Sequence, residues 1–491
     1  MWTRDSVKDL LREKIGDDLF VVVSNREPYI HKWREGKVVV DKPASGLVTA
    51  MDPMLRASGG VWVAHGSGNA DRKASDKEGR VKVPPKEKLY TLKRVWLTKE
   101  EESGYYFGFS NGTLWPLCHI AFTRPSFNAQ EWEIYKRVNQ NFADAILEEV
   151  KDQKAFIWVQ DYHFALLPAM LKEKRPDIMV AHFWHIPWPN PEIFRICPWA
   201  KEILEGLLGN DLIGFHIHMH CENFLNTVDQ TLEVRIDRER STIFHHGGIG
   251  TKVMPFPISV DYPMISEDVK KDYSDNDVIR DAKKSLPKKC RYVAVGVDRI
   301  DYTKGLPERL KAIDRFLEKY PQMVERFVYL QMGALSRIHI GLYKDLNDEI
   351  NKLVDEINWK YGTDDWQPIV FLRRNLTYPE VLEFYRIANV CIVSSLHDGM
   401  NLVAKEFIAS KNDDDGVLLL SKFTGAAREL ESGAIIFNPF DTEGFADSIY
   451  RAVTMPRKDR RKRMQWLRTS VEENNIYQWG ANFISELTNL A

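Results

Sequence analysis

Two stretches of this 491-residue chain combine residue types that suit a bound diphosphate. In the first, Asp398-Gly399-Met400-Asn401-Leu402-Val403-Ala404-Lys405-Glu406 follows the apolar, β-rich run at 390–396. The pattern predicts a buried strand, a glycine turn and a helix whose first N–H groups are unpaired. At the carboxyl edge of a parallel sheet, those amides and the positive helix end attract phosphate. Glu406 falls early in the helix, where its carboxylate can accept hydrogen bonds from ribose hydroxyls. The same pattern also fits an ordinary strand–turn–helix of any α/β protein. In the second stretch, Val297-Asp298-Arg299-Ile300-Asp301-Tyr302-Thr303-Lys304-Gly305 follows a strand-like run at 292–296 and precedes a helix starting near Leu306. Arg299 offers a planar fork and Lys304 a point charge, a pairing suited to a diphosphate. Alternatively both are solvated, or paired with Asp298 and Asp301.

Other polar residues fall at strand ends. His185, in His185-Ile186-Pro187-Trp188-Pro189, follows a strand ending near Trp184, and could donate a hydrogen bond to a sugar hydroxyl. Asp161 follows another strand and could accept from sugar hydroxyls. Arg26 ends the first strand, and with Arg337 would make a cradle for a phosphate monoester. Tyr106 and Trp115 offer apolar walls for a sugar, although aromatics in such positions more often fill a core. His216, His218, His220 and Cys221 cluster, and alternate spacing would put the three histidines on one face of a strand. They match no metal signature, so no metal site is expected. His245 and His246 read as loop. Neither Gly-x-Gly-x-x-Gly in the first βα unit nor a Walker A sequence appears, which disfavours dehydrogenase and P-loop readings.

The elements that must hold these residues alternate in type. Strand-like runs at 19–24, 155–159, 178–184, 212–215, 292–296, 327–330, 369–372, 390–396 and 416–420 are separated by amphipathic helical segments such as 132–151 and 168–174. That alternation predicts parallel, doubly wound α/β sheets. The length exceeds what one core supports, so two domains are expected. The composition changes at Pro255-Phe256-Pro257, after Gly247-Gly248-Ile249-Gly250, and the hinge is placed there, with a ligand cleft between the two domains. The expected division is an N-terminal extension (1–18), an N-terminal domain (19–255), a C-terminal domain (256–470) and a C-terminal helix (471–491). The 68 basic and 70 acidic side chains nearly balance, which points away from nucleic acid and anionic membranes as partners. The basic run 457–463 reads as a solvated helix face. Five widely spaced cysteines without Cys-x-x-Cys, no long apolar run and a charged N-terminus predict a soluble cytoplasmic protein with reduced thiols.

Taken in order, these segments resemble the retaining glycosyltransferases of the trehalose-6-phosphate synthase family. The resemblance is carried by Val23-Ser24-Asn25-Arg26, Leu114-Trp115-Pro116, Asp161-Tyr162-His163, His185-Ile186-Pro187-Trp188-Pro189, Asp301-Tyr302-Thr303-Lys304-Gly305-Leu306-Pro307-Glu308-Arg309, the 398–406 stretch and Phe423-Thr424-Gly425-Ala426-Ala427. It implies a GT-B fold, two Rossmann-like domains with the active site between them, and a C-terminal helix crossing back onto the first domain. It also implies transfer of glucose from a nucleotide diphosphate glucose, UDP-glucose first, to glucose 6-phosphate with retention, giving α,α-trehalose 6-phosphate. Neither metal nor cofactor is implied; the partners are small-molecule substrates, and a homo-oligomer is expected.

By the same resemblance, Arg299 and Lys304 hold the diphosphate with the Leu402 and Val403 amides, and Glu406 holds the ribose. His185, Asp398, Met400 and Asn401 contact the transferred glucose, and Gly46 leaves room for the diphosphate. Arg26, Arg337, Tyr106, Trp115 and Asp161 surround the acceptor. Several positions depart from the family pattern: Ser45-Gly46 for paired glycines, His65 for tryptophan, His216 for glutamine and His397 for arginine. Asn25-Arg26-Glu27-Pro28-Tyr29 and Gly214-Phe215-His216 are similar to glucosylglycerol-phosphate synthases, which use glycerol 3-phosphate. The rival readings are therefore that enzyme and a catalytically silent sugar-phosphate sensor. No phosphatase signature is found, so removal of the phosphate is assigned to another protein.

Overall fold

β-Branched and aromatic runs place the strands. The computed structural model describes residues 2–43, 46–245, 248–271, 276–277, 279–280, 290–333, 341–374 and 376–491. Two compact units divide the chain: residues 1–258 with 476–491, and residues 259–475.

In the first unit, the run at 19–24 becomes the buried strand β1 (Leu19–Arg26). The other strands are β2 (Ile30–Arg34), β3 (Lys37–Asp41), β4 (Val61–His65), β5 (Arg80–Val83), β6 (Tyr90–Val95), β7 (Ala155–Gln160), β8 (Met179–Phe183), β9 (Leu212–Phe215), β10 (Arg235–Asp237), β11 (Thr242–His245) and β12 (Ile249–Pro255). Among the described residues they form a sheet of order β10-β11-β12-β9-β8-β7-β1-β4-β6-β5, with β2 and β3 as a separate hairpin. The stretch from β12 to β6 is parallel; β10, β11 and β5 join antiparallel at the edges. Val22 of β1 lies opposite Trp62 of β4 and Trp158 of β7. Winding reverses between β1 and β7, and such a switch opens a crevice at the carboxyl ends of the strands. Arg26 ends β1, Asp161 follows β7, His185 follows β8 and His65 ends β4, so the first unit's polar candidates share one edge. The helix Ile476–Thr488 belongs to this unit; its Phe483 and Trp479 stack on Trp158 with ring centroids 4.3 and 5.0 Å apart.

The second unit is built on a parallel sheet of order β15-β14-β13-β16-β17-β18. Its strands are β13 (Tyr292–Val297), β14 (Phe327–Met332), β15 (Ile369–Leu372), β16 (Val390–Val393), β17 (Val417–Ser421) and β18 (Ile435–Phe437). The core packs Ala294, Phe327, Ile392 and Leu419 of the sheet against Ile313, Phe316 and Phe445 of the covering helices. Here the reversal lies between β13 and β16, whose carboxyl ends lead into the stretches holding Lys304 and Asp398.

Two local expectations change. His218 and His220 begin the helix His218–Thr231 instead of continuing a strand. The buried positions His220, Cys221, Phe224, Leu225 and Val228 recur at helical spacing, and that period overrides the alternate histidines. His245 closes β11 opposite Ile249, so only His246 of the expected loop is left, outside the described residues. The segment carrying Tyr106 is a wide-turned helix, Ser103–Leu114, leading directly into Trp115–Cys118. The basic run lies in the helix Arg457–Glu473 and is mostly exposed, as a solvated face should be. No helix among the described residues is long and apolar enough to cross a membrane.

Candidate active site

At the switch point of the second unit, Lys304 and Asp398 meet. Lys304 Nζ donates to Asp398 Oδ2 at 2.6 Å, with each side chain 14% exposed. Asp301 caps the short turn Tyr302–Lys304, accepting from the Thr303 amide at 3.0 Å and its hydroxyl at 2.9 Å. Tyr343 donates to the other Asp301 oxygen at 3.1 Å. Gly305 then turns the chain with φ +61°, and a Cβ there would lie 2.3 Å from the Ser394 carbonyl oxygen. The helix Leu306–Lys319 starts from it. Gly305→Ala is therefore expected to cost about 1–2 kcal/mol for the left-handed backbone alone, and more for the contact with Ser394. A thermal melt checks this; an unchanged midpoint would contradict it.

Asp398 is held on several sides. Its Oδ2 also accepts from Ser395 Oγ at 3.1 Å and Asn401 Nδ2 at 3.2 Å. Its backbone pairs with Phe423 and Gly425. Asn401 adopts φ +87°, a region L residues other than asparagine and aspartate rarely enter. Its Oδ1 accepts from the Ala404 amide at 3.2 Å, capping the helix Leu402–Ser410. The amides of Leu402 and Val403 thus open the helix with no carbonyl one turn back to receive them.

Beneath this edge lies a buried cation that sequence reasoning assigned no role. Arg309 is wholly buried and pairs with Asp298 Oδ2 at 2.8 Å. It also donates to Ser394 Oγ at 2.8 Å, Tyr329 Oη at 2.7 Å and Gln331 Oε1 at 3.0 Å. Ser394 Oγ in turn donates to the Lys304 and Gly305 carbonyls. Arg309 therefore joins β14, the exits of β13 and β16 and the Lys304 turn. Burial pushes the Asp298 carboxyl up, while Arg309 opposes that rise. Gly296 leaves the necessary room: a Cβ there would sit 2.2 Å from Arg309 Nη1. Asp298 and Asp301 are thus committed elsewhere, and Lys304 pairs with Asp398 instead of either. Arg299 stands exposed just beyond β13.

Glu406 lies in the second turn of the helix Leu402–Ser410. Tyr385 Oη donates to its Oε2 at 3.2 Å. Burial raises its carboxyl to about 7, and the Tyr385 hydrogen bond pulls the other way.

In the first unit, Asp161 takes φ +74° and its Oδ1 accepts from the amides of Tyr162 at 3.0 Å and His185 at 3.2 Å. Those bonds hold the His185 loop against the end of β7. His185 Nε2 pairs with Gln160 Oε1 at 2.8 Å, so that nitrogen is occupied by the protein. Burial, with His216, His182 and His163 nearby, holds His185 well below the usual histidine range, hence neutral. His216 Nε2 bonds the His185 carbonyl at 3.0 Å, which gives this departure from the expected glutamine a structural part. Among the described residues, no group of three or more histidine, cysteine or acidic side chains is arranged to hold a metal. Tyr106 stacks on His163 with centroids 5.7 Å apart, and Trp115 packs on His119 and Tyr162. Arg26 is exposed at the end of β1, with His65 beside it in the register of β4.

Directly behind Arg26 is a second buried network without a role from sequence. Arg94 is fully buried between Glu27 at 2.8 Å and Asp71 at 3.0 Å. Glu27 also accepts from the Ser67 amide at 2.9 Å, and Asp71 from the His31 amide at 2.8 Å. Burial raises the Glu27 carboxyl to about 8, while hydrogen bonds to His31 and Glu27 bring Asp71 to about 2 in spite of its own burial. Gly46 opens the helix Gly46–Ser58, while Arg337 and Ser45 lie outside the described residues.

The profile of glycosyltransferase family 20 matches residues 18–489. The chain is 35% identical to the Schizosaccharomyces pombe alpha,alpha-trehalose-phosphate synthase [UDP-forming], across 98% of this chain and 93% of that protein. A solved E. coli trehalose-6-phosphate structure bound with UDP-2-fluoro glucose superposes with TM-score 0.84, at 31% identity, over 96% of this chain and 98% of that one. An alpha,alpha-trehalose-phosphate synthase (UDP-forming) from Burkholderia xenovorans in complex with glucose-6-phosphate gives TM-score 0.83 at 30% identity, over 95% and 99% of the two chains.

Proposed function

The chain belongs to glycosyltransferase family 20, and from that premise we propose that it transfers glucose from UDP-glucose to glucose 6-phosphate, giving trehalose 6-phosphate and UDP. It is a glycosyltransferase of the trehalose-phosphate synthase kind, with the GT-B fold. The observation that carries the reading is the Lys304–Asp398 pair beside the open helix end at Leu402 and Val403, at the second sheet's switch point.

In this reading Lys304, Arg299 and the Leu402 and Val403 amides neutralise the departing diphosphate as the bond from C1 of glucose to phosphate oxygen breaks. Asp398, fixed by Ser395 and Asn401, holds sugar hydroxyls together with His185 and the backbone at Met400 and Asn401. Glu406 accepts from the ribose, and Gly46 leaves space for the diphosphate. The acceptor phosphate is held by Arg26 and Arg337, its sugar by Tyr106, Trp115 and Asp161. The acceptor's anomeric hydroxyl bonds to C1 from the face the diphosphate leaves, and its proton passes to a donor phosphate oxygen. The configuration is thereby retained, and the cations already in place make a metal unnecessary to the scheme. Positioning supplies much of the rate. Reduced, widely spaced cysteines support a cytoplasmic location, and the prevalence of symmetric assemblies supports a homo-oligomer.

The test is a panel of acceptors. UDP release from UDP-glucose is expected with glucose 6-phosphate and not with glycerol 3-phosphate. Release with glycerol 3-phosphate alone would move the protein to glucosylglycerol-phosphate synthesis. Donor binding without release for either would make it a sensor.

A further inference from the structure

We propose that Tyr385 is a positioning residue for donor binding: its hydroxyl fixes one oxygen of Glu406 so that the other oxygen can receive the donor's ribose hydroxyls. The inference rests on the assignment of Glu406 to the ribose and deepens it.

The local sequence places this tyrosine firmly. Thr377 and Glu380 form a capping box, the Thr377 amide donating to Glu380 Oε2 at 2.6 Å, and Pro379 stands in the first turn of the helix Tyr378–Ile387, where no amide is needed. That cap sets the helix phase, which turns Tyr385 inward, where it is fully buried. Its ring meets Phe407 edge-on, with centroids 6.1 Å apart and planes at 77°. The hydroxyl donates to Glu406 Oε2 at 3.2 Å. A carboxylate with one oxygen occupied presents the other in a fixed orientation, which suits the adjacent hydroxyls of a ribose.

The charge balance makes the hydroxyl matter. Burial favours the neutral acid and brings Glu406 to about 7, and Tyr385 is the group that lowers it. Among the described residues, no cation joins that hydrogen bond in acting on Glu406. Tyr378 on the same helix and Cys391 on β16 are both held neutral by burial. Asp261 and Asp268, which face Tyr378, are acidic. Without the Tyr385 hydroxyl, the carboxylate loses its donor and its ionisation moves to higher pH. A carboxylate accepts two ribose hydrogen bonds; the protonated acid does so less well, so donor affinity should fall as pH drops through the Glu406 range.

Calorimetric binding of UDP-glucose to the full chain without acceptor, from pH 5.5 to 9, tests this. UDP-glucose is chosen because its diester phosphates do not titrate in that range. Wild type is expected to bind more weakly on the acid side of about 7. Tyr385→Phe, which keeps the ring and removes only the hydroxyl, should move that limb to higher pH and weaken binding at pH 7 by about tenfold, with the gap closing toward pH 9. Glu406→Gln should bind weakly and without the limb. If Tyr385→Phe binds with the wild-type limb in place, or is weakened equally at every pH, the inference fails and the donor assignment stands. If wild-type protein does not bind UDP-glucose at all, the donor assignment fails and takes this inference with it.

Discussion

Lys304→Ala is expected to lower kcat with UDP-glucose and glucose 6-phosphate by about 100- to 1,000-fold while the protein stays folded. In the free protein the ammonium is balanced by Asp398 at 2.6 Å, so it is oriented before substrate arrives. In the proposed reaction, negative charge grows on the departing diphosphate, which this cation and the amides of Leu402 and Val403 are proposed to neutralise. A point charge held by the Asp301-capped turn and by Gly305 needs no rearrangement at that moment. Removing it takes away an interaction worth more in the transition state than in the ground state, so kcat should suffer more than donor KM. Stability should change little. Asp398 keeps its bonds from Ser395 and Asn401, and neither partner of the pair is wholly buried. Steady-state kinetics alongside a circular-dichroism melt checks both halves; a folded variant with near-wild-type turnover would remove Lys304 from the chemistry.

Arg309→Met should have the largest effect on stability, about 3–5 kcal/mol, because it leaves Asp298 buried without its cation. The sign of the pH dependence follows. Burial raises Asp298 above the ordinary carboxylate range even with Arg309 present, and Arg309 restrains that rise. In the variant the folded-state value climbs further. A raised carboxyl contributes its stability below the unfolded pKa and loses it as pH rises through the carboxylate range toward the folded value. The deficit against wild type should therefore be larger at pH 8 than at pH 5. Adding Asp298→Asn to Arg309→Met should recover part of the loss and flatten the difference. Urea denaturation at the two pH values measures this, and equal deficits at both would show that Asp298 does not depend on Arg309.

What was legible in the sequence follows the range of the interactions involved. Buried parallel strands announce themselves locally, so β1, β7, β13 and β16 were readable from their β-branched runs, and the turns after them marked the site's edge. Edge strands β5, β10 and β11 are short and partly exposed, and carry no such signal. The alternate histidines at 216–220 misled because the helical period resides in residues further on, Phe224, Leu225 and Val228. Pairings across the fold were the least legible. Lys304 and Asp398 are 94 residues apart, and Arg309 reaches Ser394 across 85. Only the strand order, with β16 inserted beside β13, brings them together. Arg309 and Arg94 looked like any other charged residue of a helix or strand, since their burial is set by neighbours on other elements. Tyr385 escaped notice for the same reason, lying 21 residues before Glu406 and outside every motif.

Product identification tests the central claim most directly. Purified protein with UDP-glucose and glucose 6-phosphate is followed by mass spectrometry and proton NMR of the sugar product. The expected product is a phosphorylated disaccharide in which both anomeric protons show the small couplings of an α,α-1,1 linkage, formed in step with UDP. A β-configured linkage would contradict retention, and a product lacking the second glucose unit, or none at all, would contradict the assigned reaction.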